Sequence, residues 1–266
     1  MIRFFRIIRQ KLLSQNKFSK YMVYAIGEII LVVIGILLAL KVNNWNEKQN
    51  NLKYEQSILK ELNKEFENNC AQLEQKRFMR KDLVMGSAQW LINLIDHQDS
   101  IVDLDTIHHH LSRTLIVPSY DPMISITTEL INSGNLRLIQ NEELRTKLTN
   151  WPNMATDFVR DEDEFITYMY EYYMMFLVKN YRVRPLVNEI QNDDKLYKII
   201  NAKKADFDLM KKINKEELNQ LLQNKEFENY LSFILGFCNF LNNITNPLVE
   251  YNIEILQLIE SEIENH

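Results

Sequence analysis

Five glycines and five prolines in 266 residues leave little material for tight turns. Hairpins need residues at positive φ, and sheets of short strands need a turn every few residues. A strand-rich fold is excluded on that ground, and abundant Leu, Ile, Lys, Glu, Gln and Asn point to long helices. Two cysteines, Cys70 and Cys238, are too few for a disulfide framework or a four-ligand zinc site. No Gly-rich phosphate loop, G-x-S-x-G elbow or Cys–His signature occurs, so no catalytic residue, metal ligand or cofactor is assigned. Nothing in these motifs points to an enzyme.

Acidic residues are missing from one stretch. Residues 1–20 contain Arg3, Arg6, Arg9, Lys11, Lys17 and Lys20 and no acid. Subtracting those six positive charges from the net −5 leaves −11 on the remainder. A basic arm on an acidic body argues against a nucleic-acid partner, which would need the basic surface on the body. It suits an arm facing anionic lipid. Ile2, Phe5, Ile8 and Leu12 recur at helical spacing opposite the arginines, the pattern of a helix lying in the headgroup layer. A disordered basic tail is the alternative.

The run from Tyr21 to Leu40 carries a single charge, Glu28, and is closed by Lys20 and Lys41. About 20 helical residues span roughly 30 Å, the thickness of a bilayer's hydrocarbon core. A cleaved signal peptide fits less well, because the run exceeds a usual signal core and no Ala-x-Ala site follows. The organisation expected is a basic cytoplasmic arm at 1–20, a transmembrane helix at 21–41 and a helical domain at 42–266. The positive-inside rule puts the arm in the cytoplasm and the domain outside it, in the periplasm for an inner-membrane protein.

The runs KFSKY, AIGEIILVVIGILLAL and NNWNE, within residues 17–47, resemble the N-terminal signature of an uncharacterised family of Bacteroidota membrane proteins. LSRTLIVPSYDP and LINSGNLRLIQNEELRTKLTNWP are similar to the same family. The family carries a domain-of-unknown-function label. The resemblance implies an inner-membrane anchor with a periplasmic domain, and no activity.

Ala25, Glu28, Val32, Gly35 and Ala39 are spaced three or four residues apart, which places them on one helix face. Small residues at that spacing let a second helix approach closely, and an acid in the apolar layer usually faces protein rather than lipid. This face is the expected transmembrane association site. The partners expected are the lipid bilayer and either further copies of the chain or other envelope membrane proteins.

Beyond the membrane the fold expected is all-α, an irregular bundle of long, kinked helices. Leu52, Leu59, Leu62, Phe66 and Leu73 form an apolar stripe on a helix that continues to about Asp96, with a break allowed at Asn43–Asn46. Asp121 is expected to cap a helix opening at Pro122 and closing at Gly134, and Asn141 to open the next. Pro152 and Pro247 should kink or interrupt their helices. Asn214 with Glu217 resembles a capping box. The aromatic run Phe165–Tyr181 is expected to stay helical to about Arg184 and to be buried all round. Its alternative is a ligand pocket of Tyr168 and Tyr172, with Arg182 and Arg184 to hold a carboxylate or phosphate. His108–His110 and the acidic run Asp161–Glu164 are expected on solvated faces, since consecutive helical residues point about 100° apart.

Overall fold

The computed structural model describes residues 18–97, 102–204, 206–209 and 213–264. Most of the basic arm and the connection at 98–101 lie outside the described residues. Among the described residues the chain is all-α, with no strand. It divides into two units, residues 1–57 and 58–266.

In the first unit, helix α1 (Phe18–Phe78) carries the apolar run. It is the one helix among the described residues long and apolar enough to cross a membrane, and none of its apolar window is buried. Asn43–Asn46 do not break it. Asn is a weak helix former but no breaker, and neither Gly nor Pro occurs between Gly35 and Gly86.

In the second unit the chain continues from Ile58 along α1, through a π-helical turn at Met79–Met85, into α2 (Gly86–Asp96). Helices α3 (Leu104–Arg113) and α4 (Ser125–Ser133) and a 3₁₀ turn at Asn135–Leu138 follow. Next come α5 (Glu142–Tyr168), a second π turn at Met169–Tyr173 and α6 (Met174–Asn180). Then come α7 (Arg184–Gln191), α8 (Asp194–Ile199), α9 (Lys215–Leu222) and α10 (Lys225–Glu264). The long helices, with their π turns and internal prolines, are the kinked helices expected.

Local signals account for several boundaries. Gly134 adopts φ 71°, the left-handed conformation that closes α4. Asn141 accepts a 3.0 Å bond from the Leu144 N–H at the start of α5. Asn214 accepts from Glu216 N–H and donates to the Glu217 carboxylate, capping α9. Pro152 and Pro247 lie inside α5 and α10 and interrupt neither. Each removes one backbone bond, and the buried Trp151, Leu248 and Val249 beside them hold the helices by packing.

Two boundaries depart from expectation. The helix after Pro122 opens three residues later, at Ser125. Its first N–H groups are satisfied not by Asp121 but by Glu65 of α1, whose carboxylate accepts from Ile126 N–H at 2.7 Å and from Thr127 N–H at 3.2 Å. Asn69, one turn further on, donates to the Met123 carbonyl and accepts from the Met123 N–H. α1 therefore holds the Met123 end of the Pro118–Met123 segment by its backbone. The aromatic helix stops at Asn180, because Tyr181 is extended and Pro185 suits the first turn of a new helix.

The core has two apolar clusters. One gathers Leu59, Leu62, Phe66, Trp151 and Ile255, and the other Leu83, Leu91, Phe165, Tyr173 and Leu231. α1 with α2, α5 with α6, and α10 each contribute to both. Where each passes from one cluster to the other it places a polar side chain: Arg80, Glu162, and Asn242 with Thr245. Arg80 and Glu162 are fully buried and meet at 2.5 Å. Arg80 also donates to Asn242 at 3.0 Å and to Thr245 at 2.8 Å, and the second Glu162 oxygen accepts from Tyr120 N–H at 2.7 Å. Burial pushes the Glu162 carboxyl above its ordinary range, against the opposing pull of the Tyr120 N–H and Arg80.

Removing one partner leaves a buried charge. Arg80→Met is expected to cost about 3–5 kcal/mol in urea unfolding of the full chain. Adding Glu162→Gln, which keeps an acceptor for Tyr120 N–H and removes the orphaned charge, should recover more than half of that loss.

Candidate functional site

In the first unit, Ala25, Glu28, Val32, Gly35 and Ala39 fall on one face of α1, over about 21 Å of helix. A Cβ placed on Gly35 would meet nothing within 4 Å. The face is open to a close neighbour.

In the second unit, the most exposed aromatic surface lies between α10 and the junction of α5 with its π turn. The π turn places Phe165, Met169, Tyr173, Phe176 and Leu177 in the core and leaves Tyr170, Tyr172, Met175 and Val178 on the surface. The aromatic run is thus buried on one side only, because a helix at the edge of a bundle has one stripe against the core. Tyr168 packs its ring 5.9 Å from Tyr172, 5.8 Å from Phe233 and 5.4 Å from Phe237. It lines a groove of about 250 Å³ with Tyr172, Glu226, Asn229, Tyr230 and Phe233. An adjoining groove of about 450 Å³ continues along α10 over Phe233, Gly236, Phe237 and Phe240. Phe233 is 58% and Tyr172 55% exposed. Burial pushes the Tyr168 hydroxyl up to about 12, so it remains a neutral donor and acceptor at physiological pH.

The arginines lie elsewhere. Arg182 pairs with Glu217 of α9 at 3.0 Å, and Arg184 opens α7 on an exposed position. Tyr168 and Tyr172 come together, whereas neither arginine is among the residues lining their groove.

The three histidines diverge, as consecutive helical residues must, but they do not lie on a solvated face. His108 is buried, with Nδ1 against the Leu104 carbonyl and Nε2 against the Tyr181 hydroxyl. His109 faces Glu189 at 3.3 Å. His110 stacks on Trp90, with ring centroids 4.1 Å apart, and bonds Ser87 at 3.2 Å. Among the described residues no group of three or more His, Cys, Asp or Glu is placed to hold a metal. Nearby, Arg113 forks onto Asp193 at 2.6 and 3.1 Å. Burial opposes the Asp193 charge, yet Arg113 and the Leu196 N–H hold its carboxyl below the usual range. Cys70 and Cys238 are free thiols in different core clusters, and burial pushes the Cys238 thiol up to about 12.

Glu162 corrects the reading of Asp161–Glu164 as a wholly solvated run. Phe158, Glu162 and Phe165 repeat at four and three residues, so Glu162 sits on the buried stripe of α5. Periodicity carried that signal, but nothing local named Arg80 as the partner.

Burial, with His109 and Arg113 nearby, depresses His110 from 6.5 to about 4. The unfolded chain therefore takes up this proton first. The His110 contribution is complete above about pH 6.5 and is lost as pH falls toward about 4. His110→Phe, which can keep the Trp90 stack, is expected to flatten the fall in urea midpoint between pH 6.5 and pH 4.5 relative to wild type.

Comparison with known proteins finds a family similarity over part of the chain and no activity. No curated protein and no solved structure matches the chain. Residues 28–158, from the middle of the apolar run into α5, are similar to the family described as "Family of unknown function (DUF6090)".

Proposed function

We propose that this chain is a membrane-anchored envelope protein that assembles with other membrane proteins through its N-terminal helix. Residues 21–41 cross the inner membrane of a Bacteroidota-type envelope, the arm at 1–20 faces the cytoplasm, and the helical domain at 42–266 lies in the periplasm. The observation that carries this reading is the wholly exposed apolar window of α1, with the small-residue face of Ala25, Gly35 and Ala39 along it. An acid at Glu28 costs on the order of 3 kcal/mol at mid-membrane unless it faces protein or a polar partner. A second copy of the chain or another envelope protein's helix, packed along this face, shields the acid from lipid.

A second reading, a small-molecule-binding domain, is supported by the groove in which Tyr168, Tyr172, Tyr230 and Phe233 combine ring surface with the polar groups of Glu226 and Asn229. It differs from assembly in needing a soluble ligand that protects the Tyr168 ring from solvent.

A phosphatase reporter fused at the C-terminus is expected to be active, as in the periplasm. Activity only of a cytoplasmic reporter there would overturn the topology. Glu28→Leu and Gly35→Leu are each expected to weaken self-association or partner retention in detergent by roughly tenfold, about 1.4 kcal/mol. Wild-type assembly size in both variants would remove the association face from the mechanism.

A further inference from the structure

A further groove lies on a different face of α10. Its volume is about 530 Å³, and one wall is made of four asparagines, Asn239, Asn242, Asn243 and Asn246. They recur at three, one and three residues, so one helix face carries nothing but primary amides over about 10 Å. Asn favours caps and turns over helix interiors, and four together weaken the helix that bears them. Two have evident structural duties: Asn242 accepts from Arg80, and Asn246 accepts from Arg77 at 2.8 Å. Asn239 and Asn243 are exposed, and their side chains make no hydrogen bond to the described residues. Folding does not account for them.

The facing wall, from the end of α1 and the first π turn, specifies the ligand class. Arg77 and Lys81 are balanced by Glu74 and Asp82, so the charges lining the groove cancel. Arg77 is further tied to Glu74 at 2.6 Å, and Asp82 to Lys195 at 3.5 Å. A neutral lining favours a neutral ligand over an anion. Each amide offers donors and an acceptor side by side, the complement of a hydroxyl, which also does both. Phe78, 43% exposed, adds a ring whose negative quadrupole attracts positive groups: Lys195 Nζ stands 5.5 Å from its centroid, and the weakly positive C–H face of a sugar would take that place. Amides for hydroxyls and a ring for a C–H face together describe a sugar. A peptide group also meets an amide with one donor and one acceptor, but it has no flat face of C–H groups to lay on the Phe78 ring.

We propose that this groove binds a neutral carbohydrate, one to three sugar units long, with Asn239 and Asn243 bonding its hydroxyls and Phe78 stacking on a ring. The site is separate from the tyrosine groove and from the anchor, so it stands or falls independently of the assembly reading.

The test uses the full chain in a detergent without a sugar headgroup. It is titrated calorimetrically with glucose, galactose, mannose, N-acetylglucosamine, maltose, cellobiose and chitobiose, and screened on an array of longer neutral glycans. Glucose 6-phosphate and a capped neutral hexapeptide serve as comparisons. At least one neutral sugar is expected to bind with Kd below about 1 mM. Asn239→Ala/Asn243→Ala, and separately Phe78→Ala, should each weaken it by roughly tenfold or more. The double asparagine variant should have an unchanged or higher Tm, because Ala is the better helix former. Failure of every neutral sugar, preference for the phosphate or the peptide, or undiminished binding by both variants would each overturn the proposal.

Discussion

The fold of the helical unit depends on Arg80. Three long helical paths must each pass from one apolar cluster to the other, and at that crossing each presents a polar group. A guanidinium can satisfy several partners at once because its donors are fixed in a plane. Arg80 uses them on Glu162, Asn242 and Thr245, and Glu162 passes the constraint on to the Tyr120 backbone. Sliding any one helix by a residue would leave a buried charge or amide without its partner, at a cost of several kcal/mol. The two apolar clusters supply stability without direction, and the polar seam between them sets the register.

The same logic organises the segment between α3 and α4. That stretch has no regular structure from Ile116 to Ile124, so its backbone groups need partners from elsewhere. Asn69 bonds both backbone groups of Met123, and Glu65 stands in for the missing N-cap of α4. A carboxylate at a helix N-terminus also meets the positive end of the dipole. One helix thus templates a loop and starts another helix more than fifty residues away in sequence.

α10 shows how one helix serves three environments. Leu231, Ile234, Cys238, Leu241 and Thr245 face the core, Phe233, Phe237 and Phe240 line an aromatic groove, and the asparagine row lines a polar one. At 100° per residue these sets fall on separate sectors of the helix. The buried sector explains the fold. Within the aromatic and amide sectors, Phe233, Phe240, Asn239 and Asn243 are exposed, and it is at such residues that binding has to be sought.

The sequence by itself determined the helical class, the membrane-length apolar run, the stripe of Leu59, Leu62, Phe66 and Leu73, and the ends marked by Gly134, Asn141 and Asn214. Those features depend on interactions within a few residues: periodicity, caps and left-handed glycine. Tertiary structure decided what contact between distant residues decides. It buried Glu162 against Arg80, moved the start of α4 to a carboxylate on another helix, and sent His108, His109 and His110 to three separate partners. It exposed one side of the aromatic run and drew Arg182 away from Tyr168 to Glu217. It also aligned an amide row on α10 with Phe78 across a groove. The physical reason is that a polar side chain is stabilised by whichever group reaches it in space, and local spacing does not encode that group's identity.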